Sequence, residues 1–224
     1  MKLVAILGSP RGMWGNTGTV LEGVLQGARD AGAEVTTFLL GELNVEPCNG
    51  CEACHITGAC PISDDVAPIL QAMAEADGLV LASPNYVRNI TAQMKALLDR
   101  CSGPIHLQSL TGKYAAAVVT AGGADDDGVD TYLLRAARLL GYTTVGSLST
   151  PAWALARPET RDPLLAAAAA LGTQLVEATR IQQRFPEQEE ERQAIMTRMR
   201  QIVTMQKEHW TYEYDVWSGR EKSE

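Results

Sequence analysis

The sequence predicts an α/β protein, a doubly wound five-stranded parallel sheet in the order 2-1-3-4-5 with a C-terminal helical extension. Three observations predict it. Over residues 1–150, five short apolar runs alternate with helix-length segments. The runs are continuously apolar rather than alternating, the pattern of strands buried on both faces beneath helices. Right-handed crossovers and this spacing then leave few strand orders, of which 2-1-3-4-5 fits best.

Each element follows in chain order. Residues 2–7 read as the first strand, followed by a glycine-rich loop. A helix over 17–31 carries Val20, Val24, Leu25 and Ala28 at helical spacing and stops at Gly32. The second strand covers 34–40, and a cysteine-rich segment interrupts the pattern after it. Asp64-Asp65 marks a helix start, with Val66, Ile69, Leu70 and Met73 as its apolar stripe. Strand three is 78–83, helix three 91–101, strand four 114–120, helix four 129–140 and strand five 143–149. Beyond Pro151 an alanine- and leucine-rich helix covers 163–180. Phe185-Pro186 breaks it, and a polar helix restarts over 187–207. A tail holding Trp210, Tyr212, Tyr214 and Trp217 follows. These divisions predict a nucleotide-binding domain over 1–184, with a cysteine insertion at 44–64. Residues 185–224 form a helix and aromatic tail, expected to dock on the body or serve as an oligomerisation arm.

The chain of 224 residues is long enough for one well-buried domain and too short for two of ordinary size. A net charge of −8 argues against broad binding to nucleic acid or to an anionic membrane surface. Only five apolar residues, Leu3–Leu7, precede Gly8, too few for a secretory leader or a membrane span, so the expected compartment is the cytoplasm. The acidic runs Asp125-Asp126-Asp127 and 187–191 read as solvated surface.

In a sheet of this order, ligands sit at the carboxyl ends of strands one and three, which singles out the loops after Leu7 and Ser83. The first loop, "GSPRGMWGNTGT", offers backbone amides freed by glycines, the side chains of Ser9, Asn16, Thr17 and Thr19, and one cation, Arg11. With a helix N-terminus behind it, this set suits a doubly charged phosphate. It is neither a Walker loop nor Gly-x-Gly-x-x-Gly. The second loop presents Pro84, Asn85 and Tyr86, an extended backbone against which a flat heteroaromatic ring can lie. Gly122 and Gly123 after strand four allow close approach from another side.

"GSPR…GNT", a cysteine segment ending in "DD", and "ADGLVLASPNY…NITAQMKALLDR" together resemble the NADPH-dependent FMN reductase family of flavodoxin-like proteins, over roughly residues 1–150. The resemblance implies that Ser9, Arg11, Asn16 and Thr17 hold the phosphate of FMN. It also implies that Pro84, Asn85, Tyr86 and Val87 line the isoalloxazine, with Gly122 and Gly123 opposite.

Cys48, Cys51, Cys54 and Cys60 stand in a C-x2-C-x2-C-x5-C array. Zinc usually takes two separated pairs. Three cysteines at x2 spacing and a nearby fourth followed by Pro61 are closer to the ligand runs of ferredoxin-type cubane clusters. A permanent disulfide is not expected in a reducing compartment. Free thiols without metal, or zinc, are the alternatives. Within the same group the motif is similar to that of the iron–sulfur flavoproteins, which implies a [4Fe–4S] cluster on all four thiolates beside FMN. That resemblance further implies a homodimer or homotetramer with the cluster near a neighbouring flavin, and NAD(P)H or a ferredoxin as electron donor. The other readings are a cluster-free NAD(P)H-dependent FMN or quinone reductase, a biosynthetic flavin dehydrogenase acting on a small metabolite, an electron carrier and a thiol redox sensor. No catalytic acid or base is singled out. Cys101 reads as a packed cysteine and His55 as an exposed loop residue. His106 and His209 have no evident pairing.

Overall fold

The computed structural model describes residues 1–123 and 128–221; the acidic triplet Asp125-Asp126-Asp127 lies outside the described residues. The strands are β1 (Lys2–Leu7), β2 (Glu34–Leu39), β3 (Gly78–Pro84), β4 (Tyr114–Ala121) and β5 (Thr143–Pro151). They form one parallel sheet in the order β2-β1-β3-β4-β5, as the apolar runs predict. Continuous hydrophobicity has the expected cause. Leu3, Ala5 and Leu7 of β1 pack towards α1 (Asn16–Asp30) on one face. Val4 and Ile6 face the layer of α3 (Val66–Glu75), α4 (Ala92–Asp99) and α6 (Val129–Leu139). Between β2 and α3 lies a five-residue helix, α2 (Ala53–Thr57), inside the cysteine segment.

Local chemistry sets the element ends. Gly32, at φ +91°, takes the left-handed turn that stops α1. Thr91 caps α4, its hydroxyl accepting from the Met94 N–H at 3.3 Å. The helix expected over 91–101 is observed as α4, and a second short helix that was not expected, α5 (Ser102–Leu107), starts afresh after Arg100 and Cys101. Pro104 explains the break: it has no N–H to donate to Arg100, and its ring would crowd that carbonyl in a continuous helix.

The last part of the chain forms three helices: α7 (Pro158–Ile181), α8 (Pro186–Met205) and α9 (Thr211–Glu221). α7 completes the layer beside α1. α8 covers the sheet edge, where the Gln188 amide donates to the Thr144 carbonyl at 2.9 Å and accepts from its N–H at 2.8 Å. The β5 backbone is thereby paired at that point, as a neighbouring strand would pair it. Among the described residues no helix is long and apolar enough to cross a membrane.

α1 and α7 approach so closely that side chains are excluded at the crossing. A Cβ on Gly172 would run into the Val24 carbonyl oxygen, and one on Gly27 into the Ala169 backbone. Because backbone cannot give way as a side-chain tip can, Gly172→Ala should cost about 3 kcal/mol, the upper end of overpacking effects. For a chain of this size that corresponds to a Tm lowered by about 6–12 °C by calorimetry. Gly103→Ala, in open space on α5, should leave Tm unchanged or slightly raised. Equal effects of the two substitutions would refute the close-packed crossing.

Candidate functional site

At the carboxyl ends of β1 and β3 the chain leaves an open crevice of about 210 Å³. Ser9, Arg11, Asn16, Thr17, Pro84, Asn85, Tyr86 and Gly122 all line it, together with Gly15, Thr120, Ala121 and Ala152. Val87 and Gly123 lie outside this lining. Val87 is 99% exposed at a turn tip closed by backbone hydrogen bonds between Tyr86 and Asn89. Thr120, Ala121 and Ala152 were not singled out from sequence, although Thr120 and Ala121 end the strand adjacent to β3.

The end of the crevice formed by the loop after β1 is built largely from backbone. β1 delivers the chain at Gly8, and a 3-10 turn over Gly12–Trp14 leads to α1, whose N-cap Gly15 makes no side-chain capping bond. The first N–H groups of α1 therefore retain their donor capacity toward an anion, reinforced by the helix dipole. Ser9 is buried, its hydroxyl accepting from the Arg11 N–H at 3.2 Å, and Thr17 shares a 2.7 Å hydrogen bond with Thr120. Arg11 is exposed and, among the described residues, is the only cationic one in the crevice lining. This donor set fits a phosphate dianion. The crevice itself, at about 210 Å³, is smaller than a typical small-molecule cavity, so a flat ring attached to such a phosphate would extend over the rim. A Cβ on Gly122 or Gly123 would meet nothing within 4 Å, so the backbone there leaves open space for it.

Thr91 locks the two loops together. Its hydroxyl donates to the Gly8 carbonyl at 2.7 Å while its N–H reaches the Ser83 hydroxyl at 3.1 Å. The start of the phosphate loop is thus tied to the loop after β3, and the crevice does not depend on either alone.

The cysteine segment behaves differently from Cys101. Cys101 is 1% exposed, and burial pushes its thiol pKa up to about 12. Cys48, Cys51 and Cys60 are exposed and Cys54 half-buried, all as free thiols on one loop. Left-handed residues at Gly50, Glu52 and Gly58 fold that loop tightly. Among the described residues, the one cluster of three or more metal-capable side chains with ligand atoms within 4.8 Å is His55, His106 and Glu213, which includes none of the cysteines. Four thiolates around one zinc ion would stand about 3.8 Å apart. A cubane spreads its ligands over four irons, which needs a wider array.

Beside Cys60, Arg100 is held in the protein by Asp64 at 2.7 Å and the Glu46 carbonyl at 2.8 Å. Burial would raise the Asp64 pKa, but Arg100 and the Glu46 and Val66 N–H groups outweigh it and hold it below the usual value. The Arg100 Nε–H remains buried without a hydrogen-bond partner, and the Cys60 sulfur is within its electrostatic reach.

His55, expected in solvent, is only 6% exposed. Its Nδ1 bonds Glu213 Oε1 at 2.6 Å, and His106 Nδ1 bonds Glu213 Oε2 at 3.0 Å. The two imidazoles stack with centroids 4.7 Å apart, and Trp210 closes over both. Burial lowers the His55 pKa, but Cys54 and Glu213 together prevail and hold it at about 10. The same two histidines hold the Glu213 carboxyl below its usual value despite its burial. Since each ring engages a different oxygen of one carboxylate, the group is arranged as a hydrogen-bonded bridge between three segments of chain.

Residues 1–154 match the NADPH-dependent FMN reductase family. A protein named iron–sulfur flavoprotein from Archaeoglobus fulgidus is 31% identical over 224 aligned residues, spanning 98% of this chain and 99% of its own. Among solved structures, a flavone reductase superposes with a TM-score of 0.62 at 22% identity, covering 80% of this chain and 63% of that one. A flavodoxin from the domain Archaea gives 0.52 at 15%, covering 80% and 99%. At these identities the two structures show the fold alone, which is flavodoxin-like.

Proposed function

Because this chain belongs to the NADPH-dependent FMN reductase family and is an FMN-dependent oxidoreductase, we propose that it is an iron–sulfur flavoprotein. In this reading FMN occupies the crevice between β1 and β3, and a [4Fe–4S] cluster is held by Cys48, Cys51, Cys54 and Cys60. The observation that carries the reading is the contrast among the cysteines. Three thiols of one short segment are exposed and the fourth, Cys54, is half-buried, while the fifth is packed in the core. Surface thiols are an oxidation liability that a structural role does not require, whereas ligands on a compact loop need that accessibility. The name carried by the Archaeoglobus relative supports the same reading.

The roles of the chain's own groups follow. Ser9, Asn16, Thr17, Arg11 and the α1 N-terminus neutralise and orient the phosphate. Pro84, Asn85, Tyr86 and Val87 on one side and Gly122 and Gly123 on another flank the ring. When bound, FMN takes electrons in pairs and the cluster passes them singly, so a protein holding both couples the two regimes. NAD(P)H or a ferredoxin supplies the electrons, and the assembly is a homodimer or homotetramer, which light scattering reads directly. The outer face of the C-terminal arm, where Met205 and Tyr212 are exposed, is available to a second copy.

An anaerobic ultraviolet–visible spectrum of the purified protein tests the reading. The expected result is flavin bands on a broad iron–sulfur shoulder. Flavin bands alone after anaerobic reconstitution with iron and sulfide would instead support the cluster-free reductase.

A further inference from the structure

The short helix carrying Cys54 cannot hold its own shape. α2 is five residues long, below the length at which an isolated helix persists in water. What holds it comes from the far end of the chain. Glu213 of α9 is fully buried and bonds His55 on α2 and His106 on α5 at once. Glu52 accepts from His209 at 3.1 Å and from the Trp210 indole at 3.2 Å. Thr211 donates to the Ile56 carbonyl at 3.3 Å. Tyr212 lies so close over Gly58 that a Cβ there would stand 2.6–2.8 Å from its ring. Every partner in the cysteine segment, Glu52, His55, Ile56 and Gly58, falls between Cys51 and Cys60.

Deeper along α9, Trp217 donates to the His106 carbonyl at 3.2 Å and Arg220 to the Leu107 carbonyl at 2.7 Å. Both anchor the helix on α5 and leave the cysteine segment untouched. The helix therefore has a docking end on the body and a working end on the cysteine loop. A sheet sandwiched between α1, α7 and α3, α4, α6 does not need this helix to close its core.

We propose that α9 is an intrachain clamp that holds the Cys51–Cys60 loop in its ligand-presenting shape, with Glu213 as the positioning residue. Its bearing on a bound cluster rests on the iron–sulfur reading above; its bearing on the loop does not. Preorganisation of this kind keeps ligands from drifting off the metal once bound, so its loss should appear mainly as faster release.

The experiment compares wild type, Glu213→Ala, Glu213→Gln and a chain ending at Gln206. Three quantities are read: amide hydrogen exchange over residues 52–60 without iron, chelator-driven iron loss after anaerobic reconstitution, and FMN affinity. Glu213→Ala and the shortened chain should exchange at 52–60 and release iron at least tenfold faster than wild type, with FMN affinity within twofold. Glu213→Gln keeps one acceptor and one donor for the two imidazoles, so it should recover most of the retention. Unchanged exchange in Glu213→Ala and in the shortened chain would overturn the clamp, as would FMN lost in parallel with iron, the mark of general unfolding. Failure of wild type to take up iron defeats the cluster reading instead, and leaves the exchange measurement to decide the clamp.

Discussion

Replacing any one of Cys48, Cys51, Cys54 or Cys60 with alanine is expected to remove most of the iron and sulfide that reconstituted wild-type protein holds, about four of each per chain. A cubane with an open corner is labile because the exposed iron takes up water or oxidant. Cys48, Cys51 and Cys60 are exposed and Cys54 half-buried, so the segment offers little to shield that corner once a sulfur is missing. Cys101→Ala should cost no iron. Its sulfur is buried in the core, and its hydrogen bond runs to the Leu97 carbonyl one helical turn back. FMN content should survive all five substitutions, since none of these residues lines the crevice between β1 and β3. Iron and sulfide assays on the reconstituted variants decide the matter. A single colourless metal per chain would point to zinc. Oxidant-dependent disulfides with no metal would point to a thiol switch. Iron retained in all four single variants would defeat joint ligation.

The strands were legible because burial on both faces writes itself into adjacent positions. The run at 2–7 is observed as Lys2–Leu7, and the run at 78–83 as Gly78–Pro84. The crevice residues were legible for a related reason: sheet order fixes which loops meet, and both loops are distinctive. The Thr17–Thr120 pair escaped notice because its partners are 103 positions apart and each is an ordinary threonine locally. The His55–Glu213–His106 bridge was invisible for the same cause, spanning 158 and 107 positions. His55 has neighbours typical of a loop, and it is buried by residues distant in sequence, His106 of α5, Trp210 and Glu213 of α9. The helical state of the tail was also missed. Its aromatic residues signalled docking, and Trp210, Tyr214 and Trp217 do stand at i, i+4 and i+7, but the polar Glu213, which the fold buries, and the half-exposed Tyr212 obscure that stripe. The break before α5 was readable in principle from Gly103-Pro104.

The phosphate loop gives the second large effect, and two substitutions there should move in an instructive order. Arg11→Ala removes the one cation that lines the crevice among the described residues. A charge-assisted hydrogen bond is worth about 1.5–3 kcal/mol, but Arg11 is exposed and water screens it. FMN affinity should therefore fall by about tenfold, the lower end of that range. Gly18→Ala should do more. By intrinsic propensity alone, alanine at this position in α1 would favour the helix by about 1 kcal/mol. Yet its Cβ would sit 2.5 Å from the Met13 Cα, 2.6 Å from the Met13 carbonyl oxygen and 2.7 Å from that of Gly12. All three contacts are backbone, so the 3-10 turn and the helix N-terminus must separate, and they are the two halves of the anion cradle. Gly18→Ala is thus expected to weaken FMN binding more than Arg11→Ala does, although it strengthens the local helix. FAD should bind wild-type apoprotein less tightly than FMN, because the cradle suits a terminal phosphate and not a bridging pyrophosphate. Fluorescence titration of apoprotein reads all four affinities, FMN for wild type and the two variants and FAD for wild type. Equal affinity for FMN and FAD, or a Gly18→Ala variant that binds FMN like wild type, would remove the phosphate from this loop.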